Sequence, residues 1–237
     1  MRRVLYVESH GDVIGGGQVS LLALMRDLGE DVRRYRQTSG EEIRRETGTE
    51  AGYLVGMVGR LSEEKDHETC IRAAALVAER LPQTKFRIVG EDLDRGKKRR
   101  RHLQCLVDEL KLSGRVVITG ARSDIPEVMA GLDILVPCAH SEGSGRVLIE
   151  VMAAGTPVVA TEGGGMPEVV RHGRTGVLVE QADPDAVGRA VVELLGDGDR
   201  RRTTGNPGRE LVANCFSLTK HVAQVQALCD ELLSTAA

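Results

Sequence analysis

The chain has 237 residues, of which 41% are hydrophobic and 28% are charged, and its formal net charge is −3. These proportions suit a globular protein with one large domain, and so small a net charge argues against a dominant polyanion-binding function. Aromatic residues make up 2% of the chain and tryptophan is absent, so an aromatic platform for stacking nucleic-acid bases is hard to build. We therefore expect no nucleic-acid partner.

The cysteine pattern and the hydropathy limit the class further. The five cysteines are scattered and form no Cys-x-x-Cys pair, which is typical of reduced core thiols in a cytoplasmic protein and offers no zinc ligand cluster. No apolar run approaches the roughly 18 to 20 residues that a membrane span needs. The basic start is followed by only a short apolar stretch, which indicates a strand and not a signal peptide.

The first 50 residues are irregular in pattern. They predict, in chain order, a strand at 4–7, a glycine loop with Gly15, Gly16 and Gly17, a helix at 19–28, and a charged connector with an exposed helix at 31–50. We take 1–30 as a short β-loop-α fragment that precedes the main domain.

From Gly52 onward, short apolar runs alternate with amphipathic segments. Strands are predicted at 54–58, 86–89, 116–119, 134–137, 158–161 and 175–179, and helices at 68–81, 99–112, 126–132, 146–154, 184–195, 208–214 and 218–233. This alternation indicates an α/β fold: a Rossmann-like parallel sheet with helices on both faces. We expect one such domain over 51–215, followed by a C-terminal helix within 216–237.

A sheet of this kind binds ligands at the carboxyl ends of its strands. The residues that directly follow the predicted strands are Gly59 and Arg60, Gly90, Gly120, the segment 137–145 and the segment 162–165. Candidate binding residues should therefore meet at one edge of the sheet.

The segment SEGSGRVLIE (141–150) places a small-residue turn at the start of a predicted helix. Backbone N–H groups at a helix N-terminus attract a phosphate, and glycines let that phosphate approach the backbone closely. Glu150 could accept hydrogen bonds from a ribose diol, while Glu142 would face the other end of the same ligand. An equally weighted alternative is that Glu142 caps the turn and Glu150 is a solvated helix residue.

The segment VGRLSEEKD (58–66) carries two cations after a buried strand, Arg60 and Lys65. Two such cations can neutralise a diphosphate without a metal ion. The alternative is a surface loop with ordinary charges. Because both segments are predicted at the same sheet edge, their convergence favours a binding site.

Four stretches carry a resemblance to a known family. They are VGRLSEEKD (58–66), RIVGED (87–92), a continuous stretch that begins VVITGARSD and ends GGGMPEVV (116–170), and HGRTGVLVEQADPDAVGRAV (172–191). Together they resemble the donor-binding half of family 4 glycosyltransferases, which are retaining enzymes of the GT-B fold. The resemblance implies transfer of a sugar from a nucleotide-diphosphate sugar to an acceptor, with no cofactor and no metal ion.

The resemblance also implies roles for individual residues. Arg60 and Lys65 would bind the donor diphosphate, Glu150 the ribose, and Glu142 would lie beside the transferred sugar as a catalytic residue together with the two cations. The remaining donor-site residues that it implies are Gly59, Gly90, Gly120, Ala121 and Arg122, of which the last two contact the base, and Gly143, Ser144, Gly145, Arg146 and Val147, of which the last three hold phosphate.

The sequence departs from the family pattern in three places. Ser144 stands where the family has a large residue, and Asp92 stands where it often has a second glycine. Most of the N-terminal acceptor domain lacks a counterpart, although Gly15–Gly17 resemble its acceptor-side loop. A catalytically inactive module that only binds a nucleotide or nucleotide sugar therefore stays open as an alternative.

Two further interactions also stay open. The run KKRRRH (97–102) could be a solvated helix face, a peripheral membrane contact or a nucleic-acid contact, although its charges spread around the helix. An interdomain face without its partner domain would be apolar and could pair with a second copy of the chain.

Overall fold

The structure is a computed structural model that describes residues 34–141 and 146–215, together with positions 226, 227, 230 and 234. In these ranges the strands β1 to β6 are Tyr53–Val58, Thr84–Val89, Val116–Gly120, Ile134–Leu135, Val159–Thr161 and Val177–Val179. The helices α1 to α8 are Glu41–Thr47, His67–Arg80, Lys98–Glu109, Ile125–Gly131, Arg146–Ala154, Met166–Val169, Pro184–Gly196 and Gly198–Cys215, and residues 34–37 are also helical. A 3-10 turn, Glu63–Lys65, lies between β1 and α2.

All strand pairs in the described part of the sheet are parallel. Four strands lie in the order β3-β2-β1-β4, and β5 pairs with β6. A parallel bridge between Leu135 and Val158 joins the two groups. The carboxyl ends of the strands therefore meet at one edge, as the sequence predicts.

The strands form because their side chains are apolar on both faces. In β1, Val55 and Met57 pack into one apolar layer, whereas Leu54 packs into the other. This period of two, with both sets buried, is the pattern of a sheet covered on both sides. Helices α2, α3 and α7 cover the first layer, and α1, α4, α5, α6 and α8 cover the second. The predicted α/β fold is confirmed.

Two helices of the first layer begin with the same capping chemistry. Asp66 caps α2 by accepting the Thr69 N–H at 3.2 Å, and Asp183 caps α7 by accepting the Ala186 N–H at 2.8 Å. An aspartate at this position satisfies a backbone donor that has no partner within the helix. The two caps differ in their surroundings, because Asp66 is buried and Asp183 is partly exposed.

Several element boundaries differ from the prediction. Strand β4 ends at Leu135 and not at 137, although Val136 still donates to Gly56 O at 2.7 Å. Helix α8 begins at Gly198 and not near 208, because Thr204 and Val212 are buried against neighbouring elements in spite of Pro207 inside the helix. The helix of the connector is confirmed as α1; Glu41, Glu42, Arg45 and Glu46 are exposed as predicted, whereas Ile43 and Thr47 are buried.

Some predicted elements lie outside the described residues. These are the strand at 4–7, the loop with Gly15, Gly16 and Gly17, and the helix at 19–28. The last predicted helix, 218–233, also lies outside them except at 226, 227 and 230, which are helical.

Three cysteines are described with their side chains, and all three are free thiols. Cys70 on α2 and Cys138 after β4 are buried, whereas Cys105 is exposed on α3. A hydrogen bond with Cys70, together with burial, raises the pKa of the Cys138 thiol. The thiol of Cys138 therefore stays protonated at neutral pH.

Candidate functional site

Three glycines from successive strands lie side by side at the carboxyl edge of the sheet. The Gly59 N–H donates to Val89 O at 2.9 Å, and the Gly90 N–H donates to Gly120 O at 3.0 Å. A Cβ atom on Gly90 would collide with the carbonyl oxygen of Gly59, so only glycine allows this approach. The structure thus brings Gly59, Gly90 and Gly120 together, as predicted.

The two predicted phosphate-binding cations follow this edge. Arg60 is exposed, and its guanidinium has no hydrogen-bond or ion-pair partner among the residues that the structure describes. The side chain of Lys65 passes beside Gly59, since a Cβ there would lie 3.8 Å from Cδ and Cε of the lysine. Both cations therefore belong to the carboxyl end of β1.

A cavity of about 570 Å³ opens beside Arg60. Its wall combines the loop after β1, the loop after β2 and the first turns of α3; the lining residues are Arg60, Leu61, Ser62, Glu63, Asp92, Leu93, Asp94, Lys98, Arg99 and His102. This volume lies within the range of small-molecule sites. Leu93, at 68% exposure, is the large hydrophobic side chain that is most open to solvent in the described part of the chain.

The connection between β4 and α5 touches the loop after β1. The His140 N–H donates to the Glu64 carbonyl at 2.8 Å, and His140 Nε2 lies 3.6 Å from Asp66 Oδ2. On its other side, the Ala139 carbonyl accepts the Thr161 hydroxyl at 3.2 Å. The chain that leads into the predicted glycine turn is therefore held against the segment that carries Lys65.

Of the turn and helix that follow, the structure describes only the helix. Glu142, Gly143, Ser144 and Gly145 lie outside the described residues, so their predicted roles stay predictions. In α5, Arg146 Nε donates to Glu150 Oε1 at 2.7 Å, and the side chain of Glu150 is 13% exposed. Val147 is half-buried in the first turn. Glu150 is thus a partly buried, arginine-paired carboxylate, which differs from the solvated helix residue of the alternative.

Arg122, predicted at the base-contacting segment, is already bound by two carboxylates. Its guanidinium contacts Glu46 at 2.8 and 2.9 Å and Asp124 at 2.7 and 2.8 Å. These bonds, those to Asp124 foremost, raise the pKa of Arg122, and the same pairing lowers the pKa of the Asp124 carboxyl. A contact with a base would therefore come from the backbone of this segment or from Ala121, which is exposed.

Asp92, the departure from the family pattern, caps a helix. Its carboxylate accepts the Arg100 N–H at 2.9 Å in the first turn of α3 and the Asp94 N–H at 3.0 Å. The bond from Arg100 is the main reason that the pKa of Asp92 lies below its usual value. An anionic ligand therefore finds this helix N-terminus already occupied.

Sequence reasoning missed His67, which is completely buried beneath the loop that carries Arg60. Neither ring nitrogen has a hydrogen-bond partner of good geometry. Burial is the main cause that lowers the pKa of His67 to about 4, and the nearby Arg99 lowers it further, against the opposite effect of the Ser62 and Gly59 backbone. At neutral pH the ring is therefore uncharged. The signal was its place directly after the capping aspartate.

The basic run 97–102 is largely paired within the protein. Arg99 contacts Glu68 at 2.8 Å, His102 contacts the same carboxylate at 3.1 Å, and Arg100 donates to Ile118 O at 2.7 Å. Lys97 contacts Glu91. These contacts favour the solvated-helix interpretation, while contact with a membrane surface stays a prediction. No helix in the described ranges has the length and apolarity to span a bilayer.

Two other expectations concern a metal site and an apolar interdomain face. No cluster of three or more histidine, cysteine, aspartate or glutamate side chains suited to a metal ion occurs in the described ranges. The expected apolar interdomain face does not occur there either, since Leu93 alone of the large hydrophobic side chains in those ranges is strongly exposed. Self-association therefore stays a prediction without such a face to support it.

The layers, the parallel topology and the glycine-lined edge define a Rossmann-like α/β domain of the type that makes up a GT-B half. Residues 39–211 match the family model of glycosyl transferases group 1, so the chain belongs to this family.

Similar proteins fit this assignment. The chain is 35% identical over 214 residues to D-inositol 3-phosphate glycosyltransferase of Corynebacterium jeikeium. The matched region covers 86% of this chain and 50% of that protein. Its fold matches Anabaena Alr3699/HepE, solved in complex with UDP, with a TM-score of 0.78 at 27% identity over 86% of this chain and 55% of the other. It also matches the C-terminal domain of a group 1 glycosyl transferase (LpcC) from Francisella tularensis, with a TM-score of 0.65 at 27% identity over 69% and 86% of the two chains. The chain spans about half the length of these first two proteins.

Proposed function

We propose that this chain is the donor-binding half of a retaining, family 4-type glycosyltransferase that transfers a sugar from a nucleotide-diphosphate sugar to an acceptor. The observation that carries this proposal is the contact between the loop that bears Arg60 and Lys65 and the connection that leads into α5, made by His140 N–H and Glu64 O at 2.8 Å. In the proposed complex, a ligand at this edge bridges the two cations and α5. The UDP in the Anabaena structure supports a nucleotide as that ligand.

The proposed chemistry follows from charge. The bond between the sugar C1 and the leaving phosphate oxygen breaks, so negative charge grows on the diphosphate. Arg60 and Lys65, with the N–H groups of the first turn of α5, stabilise that charge electrostatically. The two side chains thereby do what a divalent cation does in metal-dependent enzymes.

Retention is explained by attack on the face from which the diphosphate leaves. The acceptor oxygen forms the new bond to C1, and its proton passes to the departing phosphate oxygen. Glu142 then needs no covalent role; it accepts hydrogen bonds from sugar hydroxyls. Glu150 accepts hydrogen bonds from the ribose hydroxyls, and these replace part of its interaction with Arg146.

A second candidate is a module that binds the nucleotide sugar without transferring the sugar. It is favoured by Asp92, which stands where the family often has a second glycine and whose carboxylate accepts the Arg100 N–H at 2.9 Å at the start of α3. Both candidates share the donor site, and they differ only in turnover.

Calorimetry with UDP, GDP and ADP tests the shared site. We expect at least one of the three to bind, and we expect Arg60→Ala and Glu150→Gln to weaken its binding. Arg174→Ala is the matched control, since Arg174 is an exposed arginine in the turn before β6, at the amino end of that strand. Failure of all three nucleotides to bind would overturn both candidates.

Turnover separates the two candidates. The purified chain is incubated with UDP-glucose, GDP-mannose and ADP-glucose, and release of the nucleoside diphosphate is followed. Release that depends on Arg60 and Glu150 supports the transferase. Tight binding without release, in the presence of a panel of sugar, polyol and lipid acceptors, supports the binding module.

A further inference from the structure

Asp66, the residue directly after Lys65, has an unusual backbone. It adopts the left-handed conformation with φ 46° and ψ 56°, which residues other than glycine avoid, although aspartate and asparagine tolerate it best. Its side chain is 11% exposed and is bound on one side by α2, through the Thr69 N–H at 3.2 Å and the Thr69 hydroxyl at 2.6 Å. The carboxylate is thus fixed in place by the helix that it caps.

The carboxylate oxygen that accepts the Thr69 hydroxyl, Oδ2, also faces His140. The imidazole Nε2 lies 3.6 Å from Asp66 Oδ2, and the His140 N–H donates to the carbonyl of Glu64. The backbone of His140 therefore contacts the residue before Lys65, and its side chain faces the residue after Lys65. These contacts cross between two loops that are far apart in sequence.

We propose that His140 and Asp66 form a positioning pair that fixes Lys65 relative to α5. This inference rests on the proposed function, because a nucleotide diphosphate would bridge the loop after β1 and α5. Lys65 lies between the two contact points, and its stem passes beside Gly59. The pair therefore keeps Lys65 at a constant distance from Arg146 and Glu150, the residues of α5 that would contact the other part of the ligand.

A comparison of the two capping aspartates separates this role from simple capping. Asp183 caps α7 with the same bond to a backbone N–H, but in the described structure no histidine ring lies beside its carboxylate as His140 lies beside Asp66. If capping were the whole role of Asp66, replacing either aspartate should act on stability alone. A positioning role predicts that changes at Asp66 and His140 weaken ligand binding, whereas a change at Asp183 does not.

The variants are chosen to preserve the fold. Asparagine caps helices well and tolerates a left-handed backbone, so Asp66→Asn keeps both properties and removes the negative charge. His140→Ala removes the imidazole but keeps the backbone bond to Glu64. His140→Gln retains a donor that can reach the carboxylate. Asp183→Asn and His172→Ala are the controls, since His172 is an exposed histidine that contacts the backbone of Leu178 in β6.

The experiment measures the affinity of each variant for UDP, GDP and ADP and for the matching nucleosides, together with the melting temperature. We expect His140→Ala and Asp66→Asn each to weaken diphosphate binding about tenfold, the order of one charge-assisted contact. We expect His140→Gln to restore most of the affinity, and the double variant to be no weaker than either single one. The nucleosides, the controls and the melting temperatures should change little.

The outcomes distinguish this inference from the proposed function. If the wild-type chain binds none of the three diphosphates, the proposed function fails and the inference fails with it. If the wild type binds a diphosphate and His140→Ala binds it equally well, only the inference fails. It also fails if affinity falls only in proportion to a lower melting temperature, or if Asp183→Asn weakens binding as much as Asp66→Asn does.

Discussion

The loop after β1 and the loop after β3 begin alike and end differently. Each starts with a glycine at the carboxyl edge and reaches an arginine within two residues, Arg60 in the first and Arg122 in the second. The guanidinium of Arg122 is bound by Glu46 and Asp124, whereas that of Arg60 has no partner in the described part of the chain. Position at a sheet edge therefore does not decide whether an arginine serves a ligand or the fold; the neighbouring carboxylates do.

The largest expected effect is the pH dependence of stability that comes from His67, which is buried beneath the loop after β1. The folded pKa of His67, about 4, lies below the ordinary 6.5, so the unfolded chain binds more protons between these values. Stability from this residue is complete above about pH 6.5 and falls by up to about 3 kcal/mol as the pH drops to 4. His67→Leu should remove this slope, measured by urea unfolding at several pH values.

Asp124, in the loop after β3, provides a control for that test, because its protonation changes the stability in another pH range. The pKa of Asp124 is lowered by its bond with Arg122, so its stabilisation is lost only as the pH falls below the ordinary aspartate range. Asp124→Asn should therefore leave the slope between pH 6.5 and 4.5 intact. An unchanged slope in His67→Leu would show that another group causes it.

The next effect is on ligand binding. Arg60→Ala should weaken nucleoside diphosphate binding by about 1.5 to 3 kcal/mol, because it removes a charged donor to phosphate. Its melting temperature should stay near that of the wild type, since the guanidinium makes no hydrogen bond or ion pair in the described structure. Calorimetry and thermal unfolding check the two expectations separately. Equal binding by Arg60→Ala and the wild type would contradict the proposed role of Arg60.

Arg122→Ala should show the opposite pattern, with a smaller effect. It leaves Glu46 and Asp124 close together without their shared cation, which should lower the free energy of unfolding by about 1 kcal/mol. The affinity for nucleotide should change less than it does in Arg60→Ala. If the two variants lose the same affinity, the contrast between the loops is wrong and Arg122 contacts the ligand through its side chain.

The smallest effect is expected for Glu46→Gln. The side chain of Glu46 is 47% exposed, so its ion pair with Arg122 is screened and contributes about 0.5 kcal/mol or less. The difference from the wild type should shrink further at high salt. Denaturant unfolding at low and high ionic strength measures it, and a loss that does not depend on salt would indicate a packing role instead.

The fold could be predicted from sequence because its signals are local and repeated. Solid apolar runs of strand length, each followed by an amphipathic segment, specify parallel strands and covering helices without reference to any distant residue. The short strand β4 and the long helix α8 were placed less well, since their ends depend on pairing with Gly56 and on burial of Thr204. Tertiary contacts of this kind leave no periodic signal.

The place of the candidate site in the fold could be predicted from sequence, but the side-chain contacts within it could not. The place of Gly59, Gly90 and Gly120 follows from strand order alone. That Arg122 is bound by Glu46, 76 positions away, could not be derived, because an ion pair across the chain has no local pattern. The same holds for His140 and Asp66, whose contact requires the two loops to be adjacent.

The arrangement of the thiols has a practical consequence. Cys70 and Cys138 are sealed in the interior, and the thiol of Cys138 resists deprotonation. Cys105 is exposed on α3, the helix whose first turns line the cavity beside Arg60. A maleimide dye attached at Cys105, with Cys215 and Cys229 replaced by serine, would report by fluorescence on events in that cavity while leaving the interior untouched.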